Sequence, residues 1–268
     1  MHGNWNEEDF ATEFRTELVI SSGKPRVVTL YSSRNTALLK PLHSALFGQI
    51  KRKKWLLVGP PTNERVESLN GFQYESFDYK SATDNIKSEY VSAAIDVLVQ
   101  KGEGLMYEEV EALRVVSSLS LDGEACGSGQ PMGSLMSFPL LCLINKTMVD
   151  LAIADTLSKD GTNFSSKEAW QKFVSYMSLI NGDDLASRDP TGNGEFRRRL
   201  IFHGEHVGLT VNEEKSLTSD DWLEINSTAF FQGDLKKKTN VGVLRCKKED
   251  AGDMIALAKE ATITQTGF

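Results

Sequence analysis

Two adjacent carboxylates, Asp183 and Asp184, follow Asn181-Gly182 in this 268-residue chain. Tyr176-Met177-Ser178-Leu179-Ile180 precedes them and Leu185-Ala186-Ser187 follows. An apolar run, a polar glycine turn and a second short run predict a β-hairpin with the carboxylates at its tip. Paired carboxylates repel, and a divalent cation relieves the repulsion; Mg²⁺ prefers carboxylate oxygens and usually takes one or two per ion. The same tripeptide also fits an ordinary turn. Asp78 ends an alternating aromatic strand, Gly71 to Asp78, and Asp84 stands after five intervening residues. A strand-end Asp beside a hairpin-tip pair can hold two ions roughly 3.5–4 Å apart and stabilise both oxygens of an in-line phosphoryl transfer. The plainer alternative makes Asp78 a turn residue and Asp84 an N-cap. A third feature, Gly127-Ser128-Gly129-Gln130-Pro131-Met132-Gly133-Ser134, opens a long helix. Its free N–H groups suit a phosphate or sugar, or it is a flexible loop. No Gly-Lys-Ser/Thr follows, so it is not a Walker A loop.

The elements that must carry these residues are readable from period and punctuation. Arg26 to Tyr31 is a β-branched run and predicts a strand, while the first 20 or so residues are polar and weakly patterned. Ala37 to Ile50 carries leucines at helical spacing and ends in Lys51-Arg52-Lys53-Lys54. A helix follows Asp84, with Ile86, Tyr90, Ala94 and Val97 on one face, and further helices are predicted near Tyr107 to Leu119, Ser134 to Leu157, Ser166 to Ser175 and Gly194 to Val207. Short strands fill most of the remainder, with a terminal helix near Lys248 to Ala261. Strands and helices alternate without βαβ periodicity, which predicts an α+β fold with an antiparallel sheet.

Composition narrows the classes. The chain is 40% hydrophobic and 25% charged, with a net charge of −7, so collagen, low-complexity disorder and a membrane bundle are excluded. An acidic chain is not a general nucleic-acid coat, but it can hold nucleic acid where its cations cluster. Cys126, Cys142 and Cys246 have neither disulfide-framework nor zinc spacing and read as reduced thiols of an intracellular protein. MHGNWNEEDF lacks the apolar region of a signal peptide. Phe138 to Leu157 is broken by Asn145, Lys146, Asp150 and Asp155, so a buried amphipathic helix is expected and no membrane span. His43, His203 and His206 lack carboxylate partners at useful spacing and read as structural or surface residues. Trp55, Trp170 and Trp222 read as core anchors. The runs Lys51 to Lys54, Arg197 to Arg199 and Lys236 to Lys238 are either solvated faces or the lining of a nucleic-acid channel.

Taken in order, Asp78-x5-Asp84, GQPMGS (Gly129 to Ser134) and NGDD (Asn181 to Asp184) resemble motifs A, B and C of viral RNA-dependent RNA polymerases. DYKSATDN, GQPMGSLMSFPLLCLIN and INGDD are similar to the ourmia-like (botourmiavirus) group, with narnavirus and mitovirus polymerases more distant. The resemblance runs from about Gly23 to Gln232. It implies a polymerase palm, an antiparallel sheet backed by helices, with part of the fingers. The implied division is a fingers portion over 1–70, palm over 71–225, and a motif E-like segment with the start of a thumb over 226–268. The implied reaction is nucleotidyl transfer from an NTP to an RNA 3′-OH, with Asp78, Asp183 and Asp184 holding two Mg²⁺ ions, for which Mn²⁺ can substitute. The implied partners are an RNA template and product strand and NTPs, in the host cytoplasm.

Further roles follow from the same resemblance. Gly23 to Val28 resembles motif F, so Lys24 and Arg26 would contact the triphosphate. Gly208 to Ser216 resembles motif D, whose lysine would make Lys215 the general acid toward pyrophosphate. Glu224 to Gly233 stands where motif E belongs, although a plain packing strand with Phe230 and Phe231 in the core fits it equally. Phe138 occupies the position where many such enzymes carry the asparagine that reads the ribose 2′-OH, which leaves Asp84 with Ser134, beside Gly129, as the ribose and nucleotide contacts. Asn145 reads as structural. Most of the N-terminal fingers and a full thumb are not recognisable, so the chain reads as a partial polymerase. Two rivals stand beside this reading: a reverse transcriptase, which commonly shows an aromatic-x-Asp-Asp motif where Gly182 precedes the pair here, and an inactive palm that only binds RNA or protein.

Overall fold

A computed structural model describes residues 10–21, 24–130 and 133–236, with Gly252, Met254 and Ile255 beyond them. Most of the helix expected over 248–261, together with Gly23, Lys237, Lys238 and Cys246, lies outside the described residues. In chain order, β1 (Arg15–Ser21) and β2 (Lys24–Leu30) form an antiparallel hairpin, and α1 (Ser33–Ile50), α2 (Asn63–Glu67) and β3 (Tyr74–Phe77) follow. Next come α3 (Ala82–Asn85), α4 (Ser88–Lys101), α5 (Tyr107–Val115) and a two-strand ribbon, β4 (Ser120–Leu121) and β5 (Glu124–Ala125). The long α6 (Ser137–Lys159) and α7 (Lys167–Val174) lead to β6 (Ser178–Asn181), β7 (Asp184–Arg188) and α8 (Glu195–Val207). Four short strands close the described part: β8 (Leu217–Ser219), β9 (Trp222–Ile225), β10 (Thr228–Phe231) and β11 (Asp234–Lys236).

The central sheet has the order β6-β7-β3-β8, every pair antiparallel, and β11-β10-β9 forms a second sheet. Alternation along the strands splits the central sheet into two faces. Phe77, Ile180 and Leu185 point to the larger core, which α6 and α8 cover with Ile153, Phe196 and Leu200. Tyr74, Leu179 and Ala186 point the other way, onto Leu223, Ile225 and Phe230 of the second sheet. One layer of strands is thus buried on both faces, and all four residues of β3 are buried. The expectation of an α+β fold with an antiparallel sheet backed by helices holds.

Local chemistry explains the ends of the elements. The Ser32 hydroxyl accepts from the Asn35 N–H and caps α1. Ser166 caps α7 in the same way through Ala169. Gly208 closes α8 at φ +95°, a conformation where a Cβ would stand 2.0 Å from the Asn85 carbonyl oxygen. The buried Asp189 carboxylate accepts the N–H groups of Thr191, Gly192 and Gly194, which shapes the turn before α8.

Several expectations need correction. The weakly patterned N-terminus supplies β1, whose Leu18 and Ile20 are exposed because β2 is its single strand partner. Asp84 does not cap α4: it sits inside the one-turn α3, and Lys87 precedes α4. Trp222 is 42% exposed and is not a core anchor, because β9 alternates and Leu223 and Ile225 take the inward positions. Trp55 is buried and Trp170 packs against the core. α6 is long and apolar enough to cross a membrane by length and composition, yet 67% of its most apolar stretch is buried inside the protein. It is less amphipathic than expected: Leu151, on the side away from the sheet, is apolar and 49% exposed.

Candidate active site

The β6–β7 hairpin closes through a two-residue loop, because Asn181 pairs with Asp184. Gly182 has φ +64°, and Asp183 is not among the residues with positive φ, the pattern of a type II′ turn, which matches the twist of the flanking strands. A Cβ at Gly182 would also stand 3.4 Å from the Phe138 ring. Asp183 is exposed at the tip and Asp184 is half-buried. Phe77 pairs with Leu185 across β3 and β7, so continuing the ladder by one residue sets Asp78 opposite Asp184. Side chains alternate, so these two lie on the face shared with Tyr74 and Ala186, toward the second sheet. The register thus makes Asp184 the direct neighbour of Asp78, with Asp183 one residue on in the turn.

Lys215 arrives by a bulged loop. Tyr79 bridges to Val211, and the ladder resumes at Ser76 with Leu217. The residues between loop outward over Asp78: the Asn212 N–H donates to the Asp78 carbonyl, and the Ser216 hydroxyl accepts from the Asp78 N–H. Lys215 Nζ then lies 3.6 Å from Asp78 Oδ2, with the lysine 69% exposed. Such an exposed pair contributes about 0–1 kcal/mol, so it leaves the lysine available.

Asp78, Asp184, Lys215 and Glu224 line one open cleft of about 380 Å³, with Asn226 and Ser227 on the second sheet's side. The Asp184 carboxyl is pushed up to about 6, first by burial and then by the negative charges of Asp183, Asp78 and Glu224. A carboxylate crowded by three others is stabilised by any cation that enters the cleft. Glu224 escaped the sequence reading. Its signal was the alternation of Trp222-Leu223-Glu224-Ile225, which turns Glu224 away from the core; its N–H also donates to the Ser76 hydroxyl on β3. Among the described residues no three His, Cys, Asp or Glu side chains already enclose a metal position.

The remaining expected residues fall in separate groups. Gly129 and Gln130 pair with the segment after the cleft, through Gly129 N to the Ile86 carbonyl and Gln130 N to the Thr83 carbonyl. Gly129 has φ +99°, and a Cβ there would crowd the Asp84 carbonyl at 3.1 Å, so the glycine permits that contact. The Asp84 side chain is exposed, and its carbonyl accepts from the Ser128 hydroxyl. Ser134 lines a small cleft with Tyr31, Asn35 and Leu39. Arg26 is exposed on β2 opposite Val19, and Lys24 begins that strand. Phe138, the second residue of α6, meets Phe47 edge-on as well as Gly182.

Other expectations resolve as follows. Arg197 pairs with Glu75, while Arg198, Arg199 and Lys159 share the single carboxylate of Glu195, so this run keeps a net positive charge, with Arg198 exposed. Lys51 to Lys54 are exposed, beside the β6 edge where Leu57 N–H donates to the Ile180 carbonyl. His203 has a carboxylate partner after all, Asp155 at 2.9 Å; the two lie on different helices, which spacing along the chain does not reveal. Phe230 is fully buried, as the packing-strand alternative had it, but Phe231 is only partly buried, and Glu224 of the same segment faces the cleft.

No known protein-family profile matches the chain. It is 26% identical over 177 residues to the RNA-dependent RNA polymerase of Ourmia melon virus (isolate Melon/Iran/VE9), covering 59% of this chain and 19% of that protein. It is 22% identical over 232 residues to the RNA-directed RNA polymerase of Cryphonectria parasitica mitovirus 1, covering 83% of this chain and 25% of that protein. The chain thus spans a fifth to a quarter of the length of these curated relatives. Among solved structures it matches the insertion loop deletion mutant of the RNA-dependent RNA polymerase of a human picorbirnavirus, with a TM-score of 0.60 at 14% identity over 95% of this chain and 53% of that one. The undeleted picorbirnavirus polymerase gives a TM-score of 0.59 at 12% identity. The fold is that of about half of a viral RNA-dependent RNA polymerase, and the resemblance to the ourmia-like and mitovirus polymerases extends over most of the chain.

Proposed function

We propose that this chain is the palm, with part of the fingers, of a viral RNA-dependent RNA polymerase working in the host cytoplasm. The observation that carries the reading is the convergence of Asp78 and Asp184 across one β-ladder, with Asp183 at the tip and Lys215 3.6 Å from Asp78. Three carboxylates at one end of the sheet, one of them pushed up to about 6 by burial and then by its acidic neighbours, fit a pair of Mg²⁺ ions. Bound there, the ions would lower the pKa of the attacking hydroxyl and stabilise the charge of the triphosphate. In the reaction the RNA 3′-hydroxyl gives its proton to water, its oxygen forms a bond to the α-phosphorus of an NTP, the bond from that phosphorus to the bridging oxygen breaks, and pyrophosphate leaves. Asp78, Asp183 and Asp184 are the proposed metal ligands. Lys215, beside Asp78 and facing the accumulated phosphate charge, gives its proton to the leaving pyrophosphate. Lys24 and Arg26 would steady the triphosphate, while Asp84, Gly129 and Ser134 would meet the ribose and nucleotide.

The test is Mg²⁺-dependent extension of a primed RNA by the 268-residue chain. NTP incorporation that Asp183→Asn abolishes supports the reading. Preference for dNTPs would indicate a reverse transcriptase. RNA binding without incorporation, under Mg²⁺ and Mn²⁺ alike, would indicate an inactive palm. Lys215→Leu should slow incorporation by about 10²–10⁴-fold where chemistry limits.

A further inference from the structure

The turn that carries Asp183 is held from beneath by three buried side chains that the proposed chemistry does not use. Asn145, fully buried on α6, donates from Nδ2 to the Gly182 carbonyl at 3.0 Å. The Tyr79 hydroxyl donates to Asn145 Oδ1 at 3.0 Å, and Tyr79 is the residue after Asp78. The Gly182 N–H donates to Cys142 Sγ at 3.2 Å, one helical turn before Asn145. Both backbone groups of Gly182 are therefore taken by α6.

The orientation of the Asn145 amide is fixed by chemistry. A phenol donating to Oδ1 leaves only Nδ2 to face the Gly182 carbonyl; the flipped amide would set two oxygens against each other. The Gly182 carbonyl and the Asp183 N–H belong to one planar peptide unit. Holding the carbonyl therefore sets the plane from which Asp183 projects. The same network is tied through Tyr79 to the strand end that carries Asp78. From this geometry we infer that Asn145, with Tyr79 and Cys142, is a positioning clamp that fixes Asp183 relative to Asp78, so that the two carboxylates reach their ions together. The inference rests on the polymerase reading for its purpose, and on the hydrogen bonds alone for its geometry.

The test uses the 268-residue chain with Asn145→Leu, which is nearly isosteric and strips both hydrogen bonds, and with Tyr79→Phe, which removes one hydroxyl. Leu151→Ala, on the side of α6 away from the sheet, is the control. Residue-resolved hydrogen exchange of the Gly182 amide reads the clamp without any metal, and Mn²⁺ titration reads its consequence. Asn145→Leu frees the Gly182 carbonyl and loosens the turn that holds the Gly182 N–H on Cys142, so it should speed exchange at Gly182 at least about tenfold and weaken Mn²⁺ binding about tenfold, the effect of one buried hydrogen bond. Tyr79→Phe should shift both about threefold, and Leu151→Ala neither. A role confined to stability would lower the melting temperature without changing Mn²⁺ affinity in the folded protein. Wild-type exchange at Gly182, or wild-type Mn²⁺ affinity, in folded Asn145→Leu overturns the inference; if that variant does not fold, the same results in Tyr79→Phe do. Mn²⁺ binding that Asp183→Asn leaves unchanged overturns the metal-site reading instead, whatever the exchange data show.

Discussion

Arg197→Met should be among the most damaging single changes outside the cleft. Arg197 on α8 lies 3.0 Å from Glu75 Oε2, whose side chain is 1% exposed, while Arg197 itself is 21% exposed. Glu75 stands three residues before Asp78 on the helix-facing side of β3, and Thr218 on β8 also donates to Oε2 at 2.8 Å. Removing the guanidinium leaves a buried carboxylate with the threonine hydroxyl as its remaining donor. Breaking one side of a buried pair costs about 3–5 kcal/mol, and the surviving hydroxyl favours the lower end, about 3 kcal/mol. Against a total stability of roughly 5–15 kcal/mol this is large. With a urea slope of about 2–3 kcal/mol/M, the unfolding midpoint should fall by about 1 M with an unchanged slope. Burial, above all, raises the Glu75 carboxyl above its ordinary value, against the lowering effects of Thr218 and Arg197. The folded protein therefore binds a proton that the unfolded chain releases above about pH 4.3. That stabilisation is present at low pH and lost as pH rises through the folded value. Arg197→Met, without the guanidinium, should widen this window, so it regains stability between pH 7 and pH 5 relative to wild type. The double variant Glu75→Leu/Arg197→Met should recover most of the loss at pH 7. A single variant that unfolds at the wild-type urea concentration, or a double variant as weak as the single, would refute the reasoning.

Three further outcomes follow. Because Asp184 titrates at about 6 and must be ionised to bind a cation, Mn²⁺ affinity should fall about tenfold per pH unit below that value; Asp184→Asn should remove this dependence, and calorimetry from pH 5 to 7 checks it. Gly208→Ala should destabilise by more than about 2 kcal/mol, since a side chain at φ +95° would meet the Asn85 carbonyl 2.0 Å away; a thermal melt within 2 °C of wild type would contradict it. Replacing Lys51, Arg52, Lys53 and Lys54 by Gln should lower the salt slope of single-stranded RNA binding by about 2–3, and an unchanged slope would show that these exposed cations do not meet RNA.

The motifs were legible because their chemistry needs particular residue types at short range. Two apolar runs around Asn181-Gly182-Asp183-Asp184 specify a hairpin, and Gly182 takes the positive φ that the tight turn requires. The helices were legible where leucines recur at helical spacing, as in α1, and where Ser166 caps α7. The misses share one cause, dependence on partners distant in sequence. Glu224 joins the acid cluster only because β9 packs beside β3, and Arg197 finds Glu75 across 122 residues. Asn145 read as merely structural because nothing near it in sequence shows that α6 runs beneath the Gly182 turn. β1 was missed because its strand character comes from pairing with β2 and not from an inward apolar face.

The central claim is that Asp78 and Asp183, with Asp184, hold a pair of catalytic ions, and anomalous diffraction from crystals grown with Mn²⁺ and a nucleotide tests it most directly. The account predicts two Mn²⁺ peaks about 3.5–4 Å apart, with Asp78 and Asp183 oxygens each about 2.1 Å from an ion and Lys215 turned from Asp78 toward the phosphates. Mn²⁺ bound elsewhere on the protein, with the Asp78 and Asp183 carboxylates free of metal, would contradict it.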